Sequence, residues 1–385
     1  MLNQNLLKEE FPYMDEVAYV NSSAVSLAPT RVKNAVNSYL GTLEADFCHS
    51  FNPYHEKIEK EAREEIAKLI HVSPAEIAFT KNTCDGITLF ANAYPFEKGD
   101  NVIITSQEYP SNFYPWLALE KKGVNIQVVE FHDNTLYPED ILARCDENTK
   151  AVSLSTVFFC NGYRFDVKTL GEELHKRGIL LIVDSIQGLG RLQVLPKELN
   201  IDVMSNGGHK CLLGMKGAGF LYCDQKLIEK LSPHTACRQS LTHWHRPPLE
   251  RHYSELPWRH DTAIFESGNP NYIGVMAMGK GVSLLNELGT EEIEKHILTL
   301  EQELRSKLVS LSLKLNDPPK ESELSGIVFV SIPEGVSVED ADRIMVQHKV
   351  YATVREGYIR ICIHCMNNSR HMDMVAEALA EIAGK

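Results

Sequence analysis

Between Glu76 and Tyr222 short apolar runs alternate with amphipathic stretches. The runs at 76–79, 101–105, 126–131, 150–155, 179–183, 201–204 and 218–223 read as strands, and helical patterns fill most of the gaps. That alternation predicts an α/β fold with a mainly parallel, seven-stranded sheet. Two amphipathic helices are predicted ahead of it, from Thr30 to about Phe47 and from Pro53 to about Ile70, the second rich in Glu and Lys at i,i+4 spacing. Residues 1–30 read as an arm, with an apolar piece, Val17–Val20, then the polar turn Asn21-Ser22-Ser23, and Pro29 opening a helix. After Tyr222 the alternation fails. Residues 234–265 are polar, aromatic and His-rich (His234, His243, His245, His252, His260) and read as a long loop covering the mouth of a site. The remainder is α+β: helices at 271–288 and beyond 290, a strand at 326–331, a helix at 337–348, two short strands and a closing helix. The expected organisation is an arm (1–30), a large domain (31–270) and a small C-terminal domain (271–385).

Composition narrows the classes. The chain of 385 residues is 43% hydrophobic and 24% charged, ordinary for a globular protein with a sizeable core. Its net charge of −13, without a long basic run, argues against a nucleic-acid surface or an anionic-membrane patch. The opening MLNQNLLKEEFPYMDE lacks a basic segment followed by an apolar one, and no stretch reaches the roughly 18 apolar residues of a membrane span, so a cytoplasmic protein is expected. Nine scattered cysteines, several inside apolar runs, fit reduced thiols rather than a disulfide framework. Cys362 and Cys365 enclose His364, but Ile359, Ile361 and Ile363 alternate with Arg360, Cys362 and His364 as in a strand. Continued regularly, that strand puts the two cysteines on opposite faces, and no metal is expected there.

The densest chemistry lies in VDSIQGLGRLQVLPKELNIDVMSNGGHKCLLGMKGAGF, Val183 to Phe220. The apolar run Ile179–Val183 ends in Asp184, where a doubly wound sheet opens its ligand crevice, and Gln187, Gly188 and Gly190 follow. A second strand leads into Asn206-Gly207-Gly208-His209-Lys210, a lysine on a tight glycine turn, able to form a Schiff base. This stretch resembles the pyridoxal 5'-phosphate (PLP) site of the class V aminotransferases, a group that includes cysteine desulfurases, isopenicillin N epimerase-like proteins and kynureninase. The resemblance implies a fold-type I PLP-dependent enzyme. It also implies that Lys210, with His209 beside it, holds the cofactor, that Asp184 pairs with the pyridine nitrogen and that Gln187 bonds the ring O3′. An ionised carboxylate there favours the protonated ring, the form that draws electrons from a substrate Cα.

Further motifs extend the resemblance over essentially the whole chain. Thr80-Lys81-Asn82-Thr83-Cys84-Asp85-Gly86 runs from a strand into a helix, whose free amides and dipole suit a phosphate; the family uses residues matching Thr83 and Cys84 for it. Tyr109 stands where cysteine desulfurases have a ring-stacking histidine. Phe158 stands where the epimerase-like branch has an amide near the ring oxygen, which leaves Gln187 to tune O3′. Arg164 reads as half of an ion pair with Asp166 or a neighbour. Phe265-Glu266-Ser267-Gly268-Asn269-Pro270-Asn271 resembles the segment that reaches a neighbouring subunit's phosphate site, implying a homodimer with shared sites through Gly268 and Asn269. Arg360 matches the arginine that grips the substrate α-carboxylate, a task that suits a guanidinium.

The function expected is PLP-dependent chemistry on a small α-amino acid, by Schiff-base exchange at Lys210 and Cα deprotonation, ending in transamination or β-elimination with C–S lyase activity. Amino-acid epimerisation is the alternative, and a PLP-binding partner protein without turnover is a second. Cysteine desulfurase chemistry is disfavoured, because Gly357 to Arg360 leaves no room for a loop bearing a nucleophilic cysteine.

Overall fold

The computed structural model describes residues 2–45, 51–132, 134–232, 235–242, 257–315, 318, 320–355 and 357–384. Seven strands form the central sheet: β1 (Ile77–Thr80), β2 (Asn101–Thr105), β3 (Asn125–Val129), β4 (Thr149–Ser155), β5 (Leu180–Asp184), β6 (Val203–Gly207) and β7 (Gly219–Cys223). Their spatial order is β1-β7-β6-β5-β4-β2-β3, and only β7 runs antiparallel to its neighbours. Each coincides with one of the apolar runs to within a few residues. The α/β fold with a mainly parallel sheet is the one the alternation predicts.

These strands read as nearly continuous apolar runs because both sheet faces are covered. Leu181 and Val183 of β5 belong to one hydrophobic core and Ile182 to the other; Phe220 and Leu221 of β7 divide likewise. Side chains alternate in direction along a strand, so each strand feeds both cores, and each fully buried Ile or Leu contributes about 1.5–3 kcal/mol. Helices α1 (Thr30–Ala45) and α2 (Phe51–Leu69) pack on α4 (Tyr272–Leu288), and a Cβ on Gly279 would lie 2.8 Å from the Ala62 Cβ. Helix α3 (Thr83–Ala93) leads away from β1; a Cβ on Gly86 would run into Ser205 Oγ on β6, so glycine lets helix and sheet approach.

Beyond α5 (Thr290–Leu308), the strands β8 (Ile327–Ser331), β9 (Thr353–Arg355) and β10 (Tyr358–Cys362) make an antiparallel sheet in the order β9-β10-β8. The N-terminal arm is tied to this part of the chain: Ala18–Tyr19 pairs in parallel with Val350–Tyr351, and Asn21 bridges to Cys362. Strand β10 stops at Cys362, so the regular alternation does not extend to Cys365. Both of its faces are buried: Ile359 and Ile361 enter the main core, while Cys362 packs in a separate small cluster with Ile327 and Phe329 and bridges to Asn21 of the arm. Arg164 pairs with Glu294 at 2.7 Å rather than with Asp166, which instead caps a helix through Thr169 N. Of the segment 234–265, residues 234 and 243–256 lie outside the described residues, and with them His234, His243, His245 and His252. His260 bonds Glu229 on the surface at 2.8 Å. Among the described residues no group of three His, Cys, Asp or Glu could hold a metal ion, and no helix is long and apolar enough to cross a membrane.

Candidate active site

The carboxyl ends of β2, β4, β5 and β6 open into a cavity of about 460 Å³. Thr83, Cys84, Tyr109, Gln187, His209, Lys210 and Arg360 all line it, from segments spread over most of the chain. Asp184, the last residue of β5, is buried and bonds two lining residues: Oδ1 accepts from Ile186 N at 2.9 Å and Oδ2 from Ser111 Oγ at 3.5 Å. Gly268 and Asn269 are not brought to this cavity within the chain. They form an exposed turn with Gly268 at φ +70° and open space around it.

Three buried polar atoms in this lining lack a hydrogen-bond partner among the described residues: Thr83 Oγ1, Gln187 Oε1 and Arg360 Nε. Leaving such atoms unpaired costs about 1–3 kcal/mol each, so their convergence on one cavity points to a polar ligand. Thr83 opens α3. Asn82 Oδ1 caps that helix by accepting from Asp85 N at 3.0 Å, and the remaining first-turn amides have no intrahelical acceptor. That end fits a phosphate. Gln187 is held by its Nε2 donating to Ser23 O at 3.4 Å. Among the described residues Arg360, 7% exposed, finds only neutral acceptors, Phe159 O and Thr353 Oγ1, each at 3.3 Å. A buried guanidinium without a counter-charge is a site for an anion.

Electrostatics divides the site. Burial raises the Asp184 carboxyl to about 6, opposed by the Ile186 amide, the Lys210 charge and Ser111. Burial also pulls the Lys210 amine below the ordinary lysine value, with Asp184 opposing and Arg360 adding to the fall. The His209 imidazole is pushed down to about 4 by burial and by the Lys210 and Lys216 charges, so it is neutral near pH 7. Lys210 Nζ lies 5.7 Å from the centre of the Tyr109 ring, and Phe159 meets that ring edge-on, centroids 5.1 Å apart. The residues present therefore fit PLP: an acid pocket for a ring nitrogen, an aromatic wall, a helix start for phosphate and a desolvated lysine among them.

The structure corrects one placement. Phe158 does not border the cavity; it is fully buried against Phe131, Tyr163 and Phe165, and Phe159 takes the lining position. A β-bridge from Val157 to Arg164 folds the segment back and turns Phe158 inward.

Several contributors escape motif reading. Glu108, buried beside Tyr109, accepts from Ser155 N (2.7 Å), Ser155 Oγ (2.6 Å), Asn112 Nδ2 (3.0 Å) and Thr105 Oγ1 (3.1 Å). Burial raises its carboxyl to about 7, with Asp184 adding to the rise. Its only sequence signal is a carboxylate following an apolar strand. Arg191, fully buried, clamps the arm: Nη2 donates to Ser23 Oγ at 2.9 Å and Ser22 Oγ at 3.4 Å, and approaches Cys211 Sγ at 3.3 Å. Ser26 N donates to His209 O at 3.0 Å. Arm and lysine turn are thus joined directly. Lys216, Arg355 and Tyr358 complete the lining. Of the described cysteines only Cys84 lines the cavity; burial pushes the nearby Cys160 thiol up to about 12.

The sequence model of the family described as Aminotransferase class-V matches residues 18–375. A probable cysteine desulfurase of Methanothermobacter thermautotrophicus is 28% identical, over 98% of this chain and 98% of its own. An uncharacterized aminotransferase, YcbU, of Bacillus subtilis is 26% identical over 98% and 97%. Among solved structures, the cystine C-S lyase C-DES in complex with its reaction product cysteine persulfide superposes with a TM-score of 0.86 at 19% identity, covering 97% of this chain and 100% of that one. Relatives named for desulfuration thus stand beside one named for amino transfer. The pairing of Arg355 with Tyr358 leaves no long loop directly before Arg360, yet desulfurase chemistry is not set aside by that alone.

Proposed function

The chain belongs to the aminotransferase class-V family and is a PLP-dependent enzyme of fold type I; from that premise we propose that it acts on a small α-amino acid by removing its Cα proton, with transamination or β-elimination as the outcome. The observation that carries this reading is the pairing in one cavity of a desolvated amine, Lys210, with a buried guanidinium lacking any anionic partner among the described residues, Arg360. PLP, when bound, supplies an electron sink for the carbanion at Cα. Arg360 takes the α-carboxylate in two parallel hydrogen bonds. Asp184 holds the proton on the pyridine nitrogen, Gln187 and the start of α3 orient the ring and phosphate, and Tyr109 forms one wall. The Lys210 amine, its pKa lowered by burial, is the group that accepts the Cα proton. The test is an absorbance scan of the purified enzyme against L- and D-amino acids with assay of released keto acid, pyruvate and sulfide. Spectra that no amino acid perturbs overturn the reading; sulfide with alanine as co-product makes it a desulfurase.

Tyr109 decides between a single-base and a two-base reaction. Phenylalanine keeps the aromatic wall, so Tyr109→Phe is expected to cost about tenfold or less in kcat, and Tyr109→Ala to loosen the cofactor by about 1 kcal/mol through lost aromatic contact. Loss of Cα hydrogen–deuterium exchange in Tyr109→Phe, with PLP retained, makes Tyr109 the second base and favours epimerisation.

We further propose a homodimer in which the exposed Gly268-Asn269 turn completes the partner's phosphate pocket. Its exposure and its absence from the cavity of its own chain support this. Dilution to monomer is expected to weaken PLP retention. A monomer in sedimentation that keeps full cofactor affinity overturns it.

A further inference from the structure

Among the described residues the cavity lining contains Lys210, Lys216, Arg355 and Arg360 and no Asp or Glu, in a chain whose net charge is −13. That excess of cations is more than the proposed reaction uses. Lys210 is the reacting amine, and Arg360 takes the α-carboxylate. Lys216 lies close enough to His209 to depress its pKa, on the lysine-turn side of the cavity. Arg355 is left over.

Its position follows from the register of β9 and β10. Arg355 pairs with Tyr358, and Thr353 pairs with Arg360. Directly opposed residues share a face, and so do Tyr358 and Arg360, two apart on one strand. Arg355 and Arg360 are therefore diagonal neighbours on the face that borders the cavity, with Cα atoms about 7–8 Å apart. The two guanidiniums differ in setting: Arg360 is buried and Arg355 exposed at the rim, with no carboxylate partner among the described residues.

We propose that Arg355 selects substrates carrying a second anionic group, so that the enzyme's amino acid is an aspartate-like or glutamate-like dianion held at both ends by the diagonal arginine pair. This rests on the reading of the site as one for an α-amino acid, and it adds the charge of the side chain. Each carboxylate meets its own guanidinium, the geometry in which charge-assisted hydrogen bonds are strongest.

The test compares isosteric pairs. Wild-type holoenzyme and its Arg355→Gln and Arg355→Lys variants are titrated with L-aspartate against L-asparagine and L-glutamate against L-glutamine, with dissociation constants read from the cofactor absorbance. Succinate, which has no amine to react, is included as a competitor. In wild type at least one anionic member is expected to bind about tenfold to a hundredfold more tightly than its amide, and succinate to compete. Arg355→Gln is expected to close that gap by weakening the anion, and Arg355→Lys to restore part of it. Equal binding of anion and amide by wild type overturns the proposal, and so does an Arg355→Gln variant that weakens both alike, which would make Arg355 a second hand on the α-carboxylate. If asparagine, glutamine and alanine also leave the spectrum unchanged, the amino-acid reading itself fails, and this proposal with it.

Discussion

Lys210→Ala is expected to fold, to bind PLP without a covalent link and to lose activity by about 10²- to 10⁴-fold or more, because one side chain serves as both anchor and base. Borohydride reduction of the wild type is expected to fix a pyridoxyl group on Lys210, found by peptide mass mapping, and to fix none in the variant. The fold should persist because Lys210 makes no ion pair within 4 Å among the described residues; Asp184 favours its charged form and Arg360 opposes it. The turn that carries it is held by backbone bonds, Gly208 N to Ala218 O at 2.8 Å and Gly214 N to Gly208 O at 2.9 Å. An adduct at another lysine, or none in the wild type, would remove the basis of the assignment.

The second large effect belongs to Asp184. In the loaded enzyme Asp184→Asn removes the anion placed to hold the ring proton, and kcat is expected to fall by about 10²-fold or more, in the range seen when a single preorganised electrostatic partner is lost. In the cofactor-free protein the same residue acts in the opposite sense. Burial raises the carboxyls of Asp184 to about 6 and of Glu108 to about 7, both above their unfolded values. The folded state therefore binds more protons than the unfolded state between about pH 4 and pH 7, and stability present below that window is lost as the pH rises through it. Asp184 accounts for on the order of 2–3 kcal/mol of that loss. Asp184→Asn is expected to flatten the fall of melting temperature between pH 4 and pH 7 in the cofactor-free protein, while PLP, by giving Asp184 a cation, should flatten it in the wild type. A stability that rises with pH across this window would mean that the donors around the two carboxylates outweigh their burial.

Glu108 sharpens the point, because its surroundings are fixed. Asn112 Oδ1 accepts from Ser153 Oγ at 2.7 Å and Trp116 Nε1 at 3.3 Å, so the amide cannot flip and its Nδ2 must face Glu108. The carboxylate closes a network that sets the strand ends from which Tyr109 and Asp184 project.

What the sequence determined by itself was the part of the molecule written in local period and local chemistry. Apolar runs separated by amphipathic stretches leave a parallel sheet covered on both faces as the arrangement that buries them, and all seven strands lie where the runs are. Asp184 and Lys210 were legible because a carboxylate ending a buried strand and a lysine on a glycine turn are each short-range patterns. Arg191, Glu108 and Arg355 were not legible. A buried arginine, a buried glutamate and an exposed arginine have the same composition as surface residues, and only tertiary contact separates them. Arg191 is explained by an arm residue, Ser23, at 2.9 Å; Glu108 by Ser155, at the end of β4; Arg355 by a strand register that sets it diagonal to Arg360. Phe158 and Phe159 make the same lesson in two adjacent residues: identical side chains, one packed into the core and the other lining the cavity, separated by a bend whose β-bridge partner, Arg164, lies beyond the turn. Which of the two side chains faces the cavity depends on how the segment folds back, which local pattern does not encode.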